Sequence, residues 1–225
     1  MLRIAGITPF STVDWPGKLS CVAFLAGCPW ACAYCQNHEL RQKESATQSE
    51  AELFLFLEQR RGLLDAVVFS GGEPLSQAGI TDAARRARSM GFEVGLHTCG
   101  AFPQRLEEVL PYVDWVGLDV KAPWDDYGSV TGVRGSGEPA RQSLRLILDS
   151  GVELETRTTW HPDLLSQDQI AAIARDLAAQ GVRTWAVQAY RHVGTTGELS
   201  NETVYPSDVP LDLPPLFEHY EFRRA

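Results

Sequence analysis

Apolar runs of strand length alternate with amphipathic segments of helix length along most of this 225-residue chain, and that order limits the fold more than any other feature. The series reads LSCVAFLA, AELFLFLEQRR, LDAVVFS, GITDAARRARSM, FEVGLHT, FPQRLEEVL, YVDWVGLDVK, PARQSLRLILDS, VELETRTTW, QDQIAAIARDLAAQ and VRTWAVQAY. Strands followed one by one by helices pair as parallel strands, because each helix carries the chain back to the edge it left. Gly62, Gly91, Gly151 and Gly181 fall where four helices should stop before the next strand. No linker, repeat or low-complexity tract interrupts the series.

Side chains two apart share a strand face, and the faces divide unevenly. Phe92, Val94 and Leu96 fall opposite Glu93, Gly95 and His97, and Val152 and Leu154 fall opposite Glu153, Glu155 and Arg157. Asp119 and Lys121 share a face with Gly117. A polar face in strands already flanked by helices predicts a wet lumen, in an incomplete barrel of about six strand–helix units. The plainer reading is that Glu153, Glu155 and Arg157 pair with one another inside.

Composition narrows the class of function. A net charge of −9 argues against a broad nucleic-acid footprint, which needs clustered Lys and Arg on phosphates. CVAFLAGC is far too short to span a bilayer, and MLRIAGITPF has no apolar core of a secretory leader, so a soluble protein of the reducing cytoplasm is expected. The chain is long enough to close one core, so a single domain over 1–225 is expected: an N-terminal extension 1–18, a barrel core 19–192 and a C-terminal segment 193–225. Only Lys18, Lys43 and Lys121 are lysines, which makes each worth locating.

Three of the five cysteines, Cys28, Cys32 and Cys35, sit in GCPWACAYCQN at C-x3-C-x2-C spacing, directly after an apolar strand. Three soft ligands in one short loop suit an iron–sulfur cubane with one iron left open. Structural zinc through a Cys3His set with His38 is the alternative, although zinc ligands usually come in pairs from two separated segments. Cys21, inside a strand, and Cys99, in HTCG, read first as small buried hydrophobes; Cys99 ends a candidate site strand and keeps a second, functional reading. Ser70, Gly71, Gly72, Glu73 and Pro74 close the next strand, where adjacent glycines let backbone approach a ligand. Arg85, Arg86 and Arg88 on the following helix read as a solvated face, with docking of an acidic electron donor as the second reading.

Together the cysteine run, with aromatic Tyr34 before its last cysteine, and GGEP after the next strand resemble the radical S-adenosylmethionine superfamily. The resemblance implies a (β/α)6 TIM-like partial barrel. It also implies a 4Fe-4S cluster on Cys28, Cys32 and Cys35, whose open iron takes the methionine amino and carboxylate groups of S-adenosylmethionine, with Gly71, Gly72, Glu73 and Pro74 beside the amino group. FSTVDWPGKLSCVAFLAGC, DVKAP, ETRTTWHP and QAYRHVG are similar to the glycyl-radical-enzyme activating proteins, in particular those of anaerobic ribonucleotide reductase. That likeness implies that Tyr34, Asn37, His97, Asp119, Lys121, Arg157 and His192 or Arg191 surround the cofactor. It further implies reductive cleavage to a 5′-deoxyadenosyl radical, a glycyl-radical enzyme as partner, and flavodoxin or ferredoxin as electron donor. A pyruvate formate-lyase-type target, small-metabolite radical chemistry and a zinc-binding module without turnover are the alternatives. The chain departs from the group at Gln36 and at His97-Thr98-Cys99-Gly100, where an Asp would accompany a monovalent cation.

Overall fold

The computed structural model describes residues 1–192, 195 and 199–224; Val193 and Gly194 of the QAYRHVG run, and part of the expected C-terminal segment, lie outside the described residues. The chain opens with strand β1 (Arg3–Ser11), which turns back into β2 (Ser20–Leu25), followed by the two-residue β3 (Gln48–Ser49) and helix α1 (Glu50–Glu58). Strand and helix then alternate through β4 (Ala66–Gly71), α2 (Ile80–Ser89), β5 (Glu93–Thr98), α3 (Pro103–Val109) and β6 (Trp115–Asp119). Two helices, α4 (Tyr127–Thr131) and α5 (Gly137–Ser150), precede β7 (Glu153–Trp160), and α6 (Gln167–Ala179) precedes β8 (Thr184–Ala189). The last strand is β9 (His219–Arg223).

Among the described residues the nine strands make one open sheet in the order β3-β1-β2-β4-β5-β6-β7-β8-β9. Along β2-β4-β5-β6-β7-β8 every neighbouring pair is parallel and, the edge strand β3 apart, follows sequence order, as the alternation requires. This is the expected open partial barrel. Three strands extend it beyond expectation: β1 pairs antiparallel with β2, the two-residue β3 pairs antiparallel with β1, and β9 adds parallel to β8.

Local chemistry sets the helix ends. Ser49 with Glu52 and Ser166 with Gln169 form reciprocal caps that satisfy the first free N–H groups of α1 and α6. The helix-facing residues Val67, Phe69, Val94, Leu96, Val116 and Leu118 are buried in the main core, each contributing roughly 1.5–3 kcal/mol by leaving water. No helix is long and apolar enough to cross a membrane, among the described residues.

The lumen departs from the wet interior expected. The DWPG turn between β1 and β2 drives Trp15 up from below, where it stacks on Trp115 with ring centroids 5.5 Å apart. Val22, Ala66 and Val68 complete a second, dry core around the two rings. A Cβ on Gly95 would come within 2.9 Å of the Trp15 ring, so glycine there makes room for the plug. The polar cavity is thereby confined to the upper half of the barrel, at the C-terminal strand ends.

Candidate active site

The cysteine loop leaves β2 and is tied down on two sides. Gly27 and Cys28 donate backbone N–H groups to the carbonyls of Leu40 and Arg41, at 2.7 and 3.1 Å. Ala31 and Ala33 donate to the carbonyls of Thr131 and Val130 on α4, while buried Trp30 packs edge-on against Tyr127. The short helix YGSVT, which carries no clear hydrophobic period, therefore buttresses the loop.

All three loop thiols are half-buried and line one cavity of about 440 Å³. Gly71, Gly72, His97, Asp119, Lys121 and Arg157 share its wall. Tyr34 and Asn37 line it as well. Burial pushes the Cys32 thiol up to about 11 and raises Cys35, whereas a hydrogen bond from the Cys99 thiol lowers Cys28. Among the described residues no three His, Cys, Asp or Glu side chains converge closely enough to hold a single metal ion. His38 lines a separate groove with Gly6 and Phe24, so the Cys3His zinc set is not assembled. Three soft thiols spread around a roomy cavity fit a cluster better than one ion.

The glycines of GGEP pack against the root of the cysteine loop. Gly72 N–H donates to the Leu25 carbonyl at 2.8 Å, and Glu73 N–H to the Gly27 carbonyl at 2.9 Å. A Cβ on Gly72 would lie 2.5 Å from the Gly27 oxygen, so any other residue would displace the loop root. The Glu73 side chain does not line the cavity. Fully buried, it accepts from Leu75 N–H (2.9 Å), Thr98 Oγ1 (2.8 Å) and Cys99 N–H (2.7 Å), buckling GGEP to the end of β5. Pro74 is buried at the start of the short turn that follows.

Lys121 and Asp119 form the charged pair of the upper wall. Lys121 Nζ lies 3.1 Å from Asp119 Oδ2 and 3.2 Å from the Tyr34 hydroxyl. Burial alone would lower Lys121, but Asp119, followed by Tyr34, Cys32 and Cys99, outweighs it and holds the ammonium well above its ordinary value. Glu155, by contrast, is spent on protein partners. It accepts Arg157 Nε at 2.5 Å and a fork from Arg223 at 2.9 Å, so of the three residues in the plainer reading Glu155 and Arg157 do pair inside and recruit β9, whereas Glu153 is exposed. Burial raises Glu155, yet the bonds and charge from Arg223 and Arg157 hold it below the usual carboxylate range.

Near the end of β5, where the resembled group would place an Asp, His97 Nε2 lies 2.8 Å from the Asp14 carbonyl and Nδ1 lies 3.1 Å from Ser70 Oγ. A carbonyl only accepts, so the proton is assigned to Nε2 and Nδ1 accepts from Ser70. Burial first, then the Arg157 guanidinium, push His97 well below its ordinary value and keep it neutral. Arg157 Nη2 shares the Asp14 carbonyl at 3.2 Å, while Nη1 faces the ring at 3.1 Å. The cation at this corner is Arg157, which is paired with Glu155.

Two expectations land elsewhere. His192 is exposed and packs edge-on against Tyr190, off the cavity wall, whereas Arg191 lines it and clasps Gln36 of the cysteine loop at 3.2 Å. The α2 arginines do not lie near the cysteine loop. Helix α2 runs back to the opposite end of the barrel, where Arg88 pairs with Asp114 just before β6, Arg85 with Asp82, and Arg86 covers Phe54. Lys18 is also at that end, bonded to Glu93. Asp14, Arg41 and Thr159 are among the wall residues that sequence reasoning did not single out, and the DWPG turn was the one visible signal for Asp14.

An open parallel barrel with three cysteines after its first parallel strand and a glycine turn after the second defines a class. The sequence profile of the Radical SAM superfamily matches residues 22–164, more than half of the chain, and the chain belongs to that superfamily. The superfamily uses a 4Fe-4S cluster and S-adenosylmethionine.

Two relatives refine the comparison. The chain is 34% identical over 179 residues to MJ1227 of Methanocaldococcus jannaschii, whose name makes it a candidate glycyl-radical enzyme activating enzyme; the match covers 76% of this chain and 74% of that one. It is 30% identical over 185 residues to the pyruvate formate-lyase-activating enzyme of Clostridium pasteurianum, covering 77% and 75%. Streptococcus suis SuiB, solved with S-adenosylmethionine, superposes with a TM-score of 0.63 at 15% identity, over 88% of this chain and 48% of SuiB. That likeness is one of fold, and the chain spans about half of SuiB's length.

Proposed function

We propose that this protein activates a glycyl-radical enzyme, and that its target is an anaerobic ribonucleotide reductase. The observation that carries the proposal is the joining of Cys28, Cys32 and Cys35 to Asp119 and Lys121 in one cavity at the open end of the barrel. Similarity to glycyl-radical enzyme activating enzymes over about three quarters of both chains supports it. The DWPGKL and DVKAP runs are the basis for preferring the reductase.

In this reading the three cysteines hold the cluster as thiolates. When bound, the cluster supplies one electron that cleaves S-adenosylmethionine to methionine and a 5′-deoxyadenosyl radical. The chain's own groups bind and orient. Lys121 and Arg157 Nη1 offer donors to the cofactor carboxylate, and half-exposed Asp119 offers an anion to its cationic parts. The Trp15–Trp115 plug closes the barrel from below and keeps water from that side of the reacting centre. A glycine loop of the partner enters through the open mouth, and a flavodoxin or ferredoxin delivers the electron.

Mixing the reduced, reconstituted protein with S-adenosylmethionine and its cognate reductase should give a long-lived doublet in electron paramagnetic resonance, lost when the reductase's radical glycine becomes alanine. A second reading, activation of a pyruvate formate-lyase-type enzyme, draws on the similarity to the Clostridium protein. A doublet with the lyase and none with the reductase would replace the first target by the second. No doublet with either would defeat activation altogether.

A further inference from the structure

Arg157 has more donors than the protein uses. Of a guanidinium's five N–H groups, the one on Nε goes to Glu155 and one on Nη2 goes to the Asp14 carbonyl at 3.2 Å. Nη1 faces His97 Nε2 at 3.1 Å, but that nitrogen carries the ring proton and donates it to Asp14, so it accepts nothing. Among the described residues, Nη1 is thus left on the cavity wall with N–H groups that no protein atom accepts. A Cβ on Gly117 would lie 2.9 Å from Arg157 Cζ, so glycine there makes room for the guanidinium.

A second guanidinium stands behind the first and does not line the cavity. Arg223 on β9 sets Nη1 and Nη2 on the two oxygens of Glu155, each at 2.9 Å, and Nε on Glu221 at 2.8 Å. To reach Glu155 it crosses β8, where Ala186 lies at the register level between the two and is short enough to let it pass. The side chains of Glu155, Arg157 and Arg223 are 6%, 9% and 22% exposed. An ionic array so far out of water adds little stability over apolar packing, and its value lies in what it holds in place.

We infer that Arg223 is a positioning residue for cofactor recognition: its fork on Glu155 fixes the Arg157 guanidinium and leaves it a net positive charge to offer a carboxylate in the cavity. The inference rests on the reading that Arg157 binds the carboxylate of S-adenosylmethionine. A carboxylate held at both oxygens cannot swing, and the Arg157 Nε bonded to one of them is held with it. The charges work the same way. Glu155 alone would cancel Arg157, whereas two guanidinium groups sharing one buried carboxylate keep a surplus of positive charge; Glu221, the other partner of Arg223, is exposed and screened by water.

The test is calorimetric titration of the anaerobically reconstituted full chain with S-adenosylmethionine and with its decarboxylated analogue, which keeps the sulfonium and amino groups. Arg223→Ala should weaken S-adenosylmethionine binding about tenfold, the size of one charge-assisted contact, and change the analogue's affinity by less than about twofold. Arg223→Lys, which keeps the charge and loses the fork, should fall between Arg223→Ala and wild type. Arg157→Ala should show the same selective loss. The double variant should bind no more weakly than Arg157→Ala alone, because Arg223 acts only through Arg157. Equal weakening of both ligands in Arg223→Ala, or wild-type affinity for both, would overturn the inference. Loss of iron in both Arg223 variants would overturn it too, by making the fork a brace of the barrel. Failure of the underlying reading is separate: Arg157→Ala would then bind S-adenosylmethionine as wild type does, and the inference would fall with it.

Discussion

Lys121 shows how one side chain links burial to function. Its ammonium is buried in a protein wall and kept charged by Asp119, an arrangement that costs desolvation and persists where a charge has something to bind. Lys121→Ala and Asp119→Ala should leave iron content near wild type while slowing 5′-deoxyadenosine release at least tenfold or weakening cofactor binding as much, the loss of about one charge-assisted contact. Wild-type release and affinity in both variants would remove these residues from the cofactor site. His97 makes a prediction about pH. Its folded value lies below its unfolded one, so as pH falls through about 6.5 the unfolded chain takes up a proton that the folded chain refuses, and stability drops. One such proton gives a slope of up to about 1.4 kcal/mol per pH unit. Urea midpoints of the apoprotein should fall between pH 7 and 5.5, and fall less in His97→Gln; equal slopes would contradict a neutral buried imidazole. Glu155 adds its own loss only at lower pH, where its depressed carboxyl titrates. The pairing of Glu155 with Arg223 was not readable from sequence, because strand alternation says which residues share a lumen and not which of them find each other.

At the scale of elements, the barrel strands and their helices were legible because each buries one face, and burial writes a period into the sequence. Strand β1 hid because RIAGITPFS mixes glycine and proline with a half-exposed face at the sheet edge. Strand β9 does alternate, with Tyr220 and Phe222 opposite Glu221 and Arg223, but it is short and charged, and among the described residues it is reached through turns of 3-10 helix without an α-helical crossover. The DWPG turn was visible as a motif and silent about its role, since nothing local says that Trp15 will reach Trp115 through the lumen. Its replacement tests that role. Trp15 is 2% exposed and stacked, so Trp15→Ala should cost about 3–5 kcal/mol in urea unfolding. A loss under about 1 kcal/mol, the range of surface substitutions, would mean that the plug is not packed as described.

At the scale of the molecule, the two ends of the barrel do different work. The lower end is shut by stacked tryptophans and bears the Arg88–Asp114 and Lys18–Glu93 pairs, while the upper end gathers the cysteine loop, the GGEP turn and the buried ammonium around an open cavity. An open-ended site with a sealed floor suits a reaction in which a loop of another protein is presented to a shielded radical. In the proposed activation the hydrogen removed comes from a glycine of that partner. The direct measurement supplies the reductase with glycine deuterated at Cα and follows the label by mass spectrometry of the 5′-deoxyadenosine formed. One deuterium should appear in the product, together with the protein radical. Efficient cleavage of S-adenosylmethionine with no deuterium transfer from any candidate reductase or lyase of the same source would contradict it.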